Sequence, residues 1–206
     1  MTVSSRQSHW DTVYASREET GLSWFQEKLD VSVNWIRREA PMVEAAIIDV
    51  GGGTSRLVDI LLEPGRPLSV LDISSKALAI SQMRLGARAE HVEWICADVT
   101  VWKPSTHYWL WHDRAVFHFL TEARDRAAYI ETMRRAVLPG GRVIIASFSL
   151  EGPEKCSNLP VRRYSHESLA QELGTGFELL EGVWEDHRTP SGAIQKFQYT
   201  LFARSV

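Results

Sequence analysis

The sequence predicts an α/β fold: a doubly wound, mainly parallel seven-stranded sheet with helices on both faces and a C-terminal antiparallel hairpin. Three observations predict it. From residue 45 onward, short β-branched runs alternate with longer segments of helical apolar spacing, the pattern of repeated βαβ units. The first run leads straight into a glycine turn, Gly51-Gly52-Gly53, which opens a helix. Beyond residue 163 the alternation gives way to two long strand-like runs joined by a turn.

The first 40 residues are aromatic and helix-prone (Trp10, Tyr14, Trp24, Phe25, Trp35) and have no sheet position of their own. They are expected to pack over the ligand-binding edge of the sheet, with residues 41–206 forming the core of a single domain. Strands are expected at Ala46–Val50, Leu68–Asp72, Val92–Ala97, Tyr108–Asp113 and Arg142–Ser147. Helices are expected at Ser55–Leu62, Ser75–Leu85 and Glu122–Val137, the last ended by Leu138-Pro139-Gly140-Gly141. A helix at His166–Leu173 then precedes the strands Phe177–Arg188 and Gln195–Ala203, linked by the hairpin turn Thr189-Pro190-Ser191-Gly192. If the first strand of that hairpin runs parallel to the core sheet, the turn lies at its ligand-binding edge.

Composition narrows the function classes. The 206 residues are 44% hydrophobic and 24% charged, enough for one globular core. A net charge of −3, from 23 basic and 26 acidic residues, offers no broad attraction to nucleic acid or to an anionic membrane. Small molecules or a protein are the expected partners, and a monomer or dimer the expected state. No apolar run approaches the roughly 20 residues of a membrane helix, and the N-terminus has no secretory pattern. The two cysteines are too few for a disulfide scaffold, so a cytoplasmic location is expected. No His/Cys spacing suits zinc, and no metal is expected.

The strongest chemical signal is Ile47-Ile48-Asp49-Val50-Gly51-Gly52-Gly53, a buried strand ending in glycines that let the backbone approach a ligand. Asp72 closes the second strand, where a carboxylate can accept from both ribose hydroxyls. Asp98 follows the third, placed to accept from an adenine amino group while the adjacent Val99 main chain donates. Each acid alone also reads as a solvated strand end or a helix cap; at successive strand ends they favour an adenosine site. A nicotinamide dinucleotide site would want a further glycine where Arg56 stands.

On these residues the chain resembles the class I S-adenosylmethionine-dependent methyltransferases, whose fold is Rossmann-like. Asp49, Gly51 and Gly53 match the acidic glycine signature, Asp72 and Asp98 the strand-end acids, and Pro139-Gly140-Gly141 the turn before the fifth strand. The resemblance covers roughly residues 40 to 203; Ser55 stands where the family usually has a third glycine. It implies S-adenosylmethionine as cofactor, with S-adenosylhomocysteine as product. Asp49 and Gly51 to Gly53 would then face the methionine moiety, Asp72 the ribose, and Asp98 with Val99 the adenine. Ile73 and Trp102 are apolar candidates for the walls of the base, with a core role as the alternative for both.

The acceptor side is expected around Trp111-His112-Asp113-Arg114-Ala115-Val116-Phe117-His118, which resembles the Asp-Arg segment of thiopurine and related small-molecule methyltransferases. Asp113 or His118 is a candidate base, and Arg114 a candidate holder of an anion; the alternative gives Asp113 to the following turn. His112 and Asp113 should face opposite sides of the sheet. Trp10, Tyr14 and Trp24 are candidates for a lid, His187, Arg188 and Cys156 for acceptor contacts, and Cys96 for the core. The expected activity is methyl transfer to a small nucleophile, with a thiol or other soft atom as the candidate acceptor. The rivals are a protein lysine methyltransferase, which predicts an open acidic groove, and a non-catalytic cofactor-binding scaffold.

Overall fold

A computed structural model describes residues 3–16 and 18–206. The strands are β1 (Ile47–Val50), β2 (Leu68–Asp72), β3 (Val92–Cys96), β4 (Tyr108–Arg114), β5 (Val137–Phe148), β6 (Lys155–Cys156), β7 (Leu159–Pro160), β8 (Phe177–Arg188) and β9 (Ile194–Arg204). The helices are α1 (Val3–Ser16), α2 (Asp30–Glu39), α3 (Leu57–Leu61), α4 (Ser75–Leu85), α5 (Ala123–Ala136) and α6 (His166–Leu173). Seven strands form one sheet in the order β3-β2-β1-β4-β5-β9-β8, with only β9 antiparallel to its neighbours. The order reverses beside β1, so β1 and β4 diverge at the crevice where such sheets receive ligands.

Alternation along the central strands sorts side chains onto two faces. Ile47, Leu68, Val70, Leu110 and Ile144 pack with Val33 and Ile36 of α2, Leu57, Val58 and Leu61 of α3, and Leu78 of α4. Ile48, Val50, Leu71, Trp111, Val143 and Ile145 pack with Tyr129 and Met133 of α5 and Leu169 and Leu173 of α6. Ile47 and Ile48 are fully buried on opposite sides, each contributing roughly 1.5–3 kcal/mol of apolar burial. Helix α4 begins where Ser74 Oγ accepts from Ala77 N, and α6 begins with a capping box between Ser165 and Ser168.

Most expected boundaries fall within a residue or two, and the departures have local causes. Helix α3 starts only at Leu57 because the glycine turn runs on through Ser55, whose hydroxyl accepts from Leu57 N at 3.1 Å. The Pro139-Gly140-Gly141 stretch lies within β5: the ladder to β4 slips between Tyr108 and Leu110 while Gly140 takes φ +75°. Residues 155–160, where no strand was expected, form the two-stranded β6–β7 sheet. Cys96, expected in the core, is exposed, because β3 is an edge strand with only one covered side. Strand β8 runs parallel to the core strands, which places its C-terminal turn at the ligand-binding edge. No helix among the described residues is long and apolar enough to cross a membrane.

Candidate functional site

β1 ends at the crevice in Gly51 and Gly53, at φ +69° and +37°. These left-handed conformations are costly for residues with a Cβ. The turn is pinned to β2 by Gly51 N donating to Leu71 O at 2.6 Å. A Cβ on Gly53 would stand 2.7 Å from Tyr14 Oη and 2.9 Å from Asp72 Oδ2, so the turn, the ribose-side acid and the N-terminal helix meet at this point. Gly52 lies over Asp49 Oδ2.

Asp49 itself is buried beneath the turn. Its Oδ1 accepts from His112 Nδ1 at 2.7 Å, while His112 Nε2 is 2.9 Å from Ser32 Oγ of α2. Asp49 Oδ2 is buried without a partner among the described residues. The expected divergence of His112 and Asp113 holds: one reaches α2, the other α5.

At the end of β2, Asp72 Oδ1 accepts from Ser74 N at 2.8 Å. Burial pushes its carboxyl up to about 7, against the hydrogen bond from Ser74 and with a further rise from Asp49. At the end of β3, Asp98 Oδ1 accepts from Thr100 N at 2.9 Å and Thr100 Oγ1 at 2.6 Å. Its Oδ2 accepts from Arg6 Nη1 at 3.0 Å, and Arg6 Nη2 reaches Asp125 Oδ2 at 2.5 Å. The Arg6 bridge was not legible in the sequence. It places a guanidinium on the oxygen an adenine amino group would use, so adenine must displace or share it.

These elements open on one cavity of about 310 Å³. Gly51, Asp72, Ile73, Asp98, Val99 and Arg6 line it at the strand ends, Tyr14 lines it beside Asp72, and Trp10, Trp24, Arg114, Cys156 and Phe197 complete the lining. Trp102, by contrast, packs into the core against the α5 face. Trp10 meets Trp24 edge-on at 5.8 Å and Phe119 at 5.0 Å, and Tyr14 meets Trp24 at 6.0 Å. The N-terminal aromatic residues Trp10, Tyr14 and Trp24 thus line the cavity and pack on one another. Arg114 donates from Nε to Tyr199 Oη at 3.0 Å and from Nη1 to Trp24 O at 3.0 Å, with Cζ 4.6 Å from the Phe197 ring centre. Its Nη2 is buried with no partner.

Four sequence candidates are placed differently. Asp113 accepts from Val116 N at 2.8 Å and, through Oδ2, from Phe117 N at 3.0 Å and Tyr129 Oη at 2.5 Å. It is fully buried and caps the turn after β4, the alternative weighed for it. His118 is also fully buried, and its Nδ1 accepts from Phe148 N at 3.4 Å. Burial, with Arg114 nearby, holds its pKa down to about 3, which leaves it neutral and a poor base at neutral pH. His187 points to the N-terminal segment, its Nε2 2.7 Å from Ser23 O, and the Arg188 side chain turns back to Gly192 O at 3.3 Å. Both lie outside the main cavity because their strand ends at its rim while their side chains serve neighbouring segments. Cys156 does line it, as a thiol that burial pushes up to about 11.

The arrangement fits an adenosine-bearing cofactor. A turn that excludes side chains meets two strand-end carboxylates, one with its pKa raised by burial, and Leu71, Ile73, Ala97 and Val99 supply apolar walls. Among the described residues no cluster of His, Cys, Asp and Glu could hold a metal ion.

Comparison with known proteins agrees with this geometry. A family model described as "Methyltransferase domain" matches residues 47–141, from β1 to the bulge in β5. A ubiquinone biosynthesis O-methyltransferase of Thiobacillus denitrificans is 23% identical over 117 residues, which cover 57% of this chain and 50% of that protein. The match thus spans about half the length of that curated relative. Among solved structures, the 1,6-didemethyltoxoflavin-N1-methyltransferase of Burkholderia thailandensis, with 1,6-didemethyltoxoflavin and S-adenosylhomocysteine bound, superposes with a TM-score of 0.75 at 15% identity, covering 100% of this chain and 92% of that one. The N-methyltransferase NodS of Bradyrhizobium japonicum with S-adenosylhomocysteine superposes with a TM-score of 0.71 at 14% identity, covering 95% and 96%. The chain therefore has the Rossmann-like fold of these methyltransferases, and its residues 47–141 match the methyltransferase domain.

Proposed function

We propose that the protein is an S-adenosylmethionine-dependent methyltransferase of the cytoplasm that acts on a small nucleophilic acceptor, a thiol or other soft atom being the first class to test. The observation that carries this reading is one cavity that joins an adenosine-type end, with its glycine turn and two strand-end acids, to an aromatic end holding Arg114. The bound cofactor supplies a methyl group already activated by a sulfonium.

The protein's part is alignment and exclusion of water. Gly51 to Gly53 leave room for the methionine moiety above Asp49. Asp72 takes the ribose hydroxyls, and Asp98 with Val99 takes the adenine, while Trp10, Tyr14 and Trp24 close the roof. Asp113 acts through the turn it caps, fixing Arg114 on one side and Phe117 on the other, and is a positioning residue. His118 supports the same turn through the Phe148 backbone. A lysine side chain in a protein would call for an open acidic groove; the acceptor end has aromatic walls and a guanidinium, which favours a small acceptor.

Calorimetric titration with S-adenosylmethionine and S-adenosylhomocysteine, with a nicotinamide dinucleotide as control, tests the reading. Saturable binding of the first two and not the third supports it. No binding of either by folded protein would sink it, and methylation of a thiol panel then decides the acceptor atom.

A further inference from the structure

The cavity is electrically divided. Its lining carboxylates, Asp72, Asp98, Glu122 and Asp125, belong to the strand ends β2 and β3 and to the start of α5, where Arg6 is already bridged between two of them. The acceptor end contains the Arg114 guanidinium, and no lining carboxylate is bonded to it: its two partnered nitrogens go to a phenol oxygen and a backbone carbonyl. Arg114 Nη2 is buried without a hydrogen-bond partner among the described residues. A buried guanidinium donor left without a partner carries a desolvation cost. A ligand anion would recover that cost.

A second observation concerns proton removal. None of the lining groups near Arg114 is suited to act as base at neutral pH. Burial holds the Cys156 thiol up at about 11 and the Tyr14 hydroxyl well above its ordinary value, and Asp113, buried behind the lining, has its oxygens taken by three donors. An acceptor that arrives already deprotonated needs no such base. Shape adds a third constraint: Trp10, Trp24, Phe119, Phe148 and Phe197 wall this end, a surface suited to a flat ring.

From these we infer that the acceptor is a planar aromatic or heteroaromatic monoanion, its anionic oxygen paired with Arg114 Nη2 and its ring held among the aromatic walls. Gln195 Oε1, buried and unpartnered on the same lining, accepts an N–H or O–H from that ligand. This inference rests on the methyl-transfer reading for the identity of the other ligand, but not for the anion site itself.

The test is calorimetric, on the full chain saturated with S-adenosylhomocysteine. The probes are benzoate, benzamide and cyclohexanecarboxylate, matched in size but differing in charge or planarity. Benzoate should bind at least tenfold tighter than either of the others. In Arg114→Lys that preference should fall at least fivefold, while the affinity for S-adenosylhomocysteine stays within twofold. Equal binding of benzoate and benzamide overturns the inference even if the cofactor product binds well. Loss of S-adenosylhomocysteine affinity in Arg114→Lys with benzoate preference unchanged also overturns it, since Arg114 would then anchor the cofactor. If S-adenosylhomocysteine fails to bind the parent protein, the methyl-transfer reading falls. The probes are then titrated into the free protein, where the benzoate preference must persist for the anion site to stand. Where Arg114→Lys is unfolded by circular dichroism, the three-probe comparison on the parent chain decides.

Discussion

Asp72 offers a direct link between electrostatics and binding. Its carboxyl stands at about 7 in the free protein because burial disfavours the charge and Ser74 N supplies too little compensation. Ribose hydroxyls donate to the ionised form, so a bound nucleoside should return the group toward the ordinary carboxylate range near 4. Binding therefore expels a proton whenever Asp72 starts protonated. With a free pKa of about 7, the ionised fraction rises from about one tenth at pH 6 to about nine tenths at pH 8, so Kd should fall about tenfold.

The same group acts on stability with the opposite sign. A carboxyl raised in the folded state stabilises fully below its unfolded pKa, and that contribution is lost as pH rises through the folded value. From pH 4 to 8 the free protein should lose stability on the order of a few kcal/mol from this source. Calorimetry of S-adenosylhomocysteine at pH 6, 7 and 8, in two buffers of different ionisation enthalpy, reads both Kd and the proton released, about one half per site at pH 7. Asp72→Asn should bind weakly and without this slope. A parent Kd that changes less than about twofold across the range would refute the reasoning.

Other outcomes follow from the same geometry. Gly53→Ala should keep the fold but weaken S-adenosylhomocysteine at least tenfold by calorimetry, because its Cβ would press on Tyr14 and Asp72 at a φ of +37°. Asp113→Asn leaves too few acceptors for Val116 N, Phe117 N and Tyr129 Oη, so thermal melting should show a loss of roughly 2–3 kcal/mol. Its turnover per folded molecule should stay within a few-fold of the parent, and a loss of 100-fold or more would restore Asp113 as a base. Iodoacetamide at pH 7.5 should modify exposed Cys96 well before buried Cys156, as read by peptide mass spectrometry, and the reverse order would contradict the burial that raises the Cys156 pKa.

The sheet was largely legible because its central strands are buried on both faces and read as short apolar runs, Leu68–Asp72 to the residue, while the edge strand Phe177–Arg188 was marked by the hairpin turn that follows it. The cofactor end was legible for a related reason: strand ends at a switch point put Asp72 and Asp98 on the crevice whatever the surrounding side chains do. The acceptor end was not, because its residues meet through contacts distant in the chain. Arg114 and Trp24 are 90 residues apart, and Arg114 finds Tyr199 across 85. Asp113 shows a subtler limit: a carboxylate after a strand reads equally as base or cap, and only the donors around it decide. Cys96 misled because an apolar strand was taken as internal, when its place at the sheet edge is a property of topology.

The Ser32–His112–Asp49 chain ties helix α2 to the floor of the glycine turn through a single imidazole. Such a chain makes these three positions co-dependent under mutation. A change at Ser32 removes the partner of His112 Nε2, and so alters how firmly the imidazole holds Asp49. An engineer who randomises only the cavity wall would leave this dependency intact. One who stabilises α2 by replacing its buried serine with an aliphatic residue would gain core packing and lose definition at the methionine end, a coupling that a selection for thermal stability would not detect.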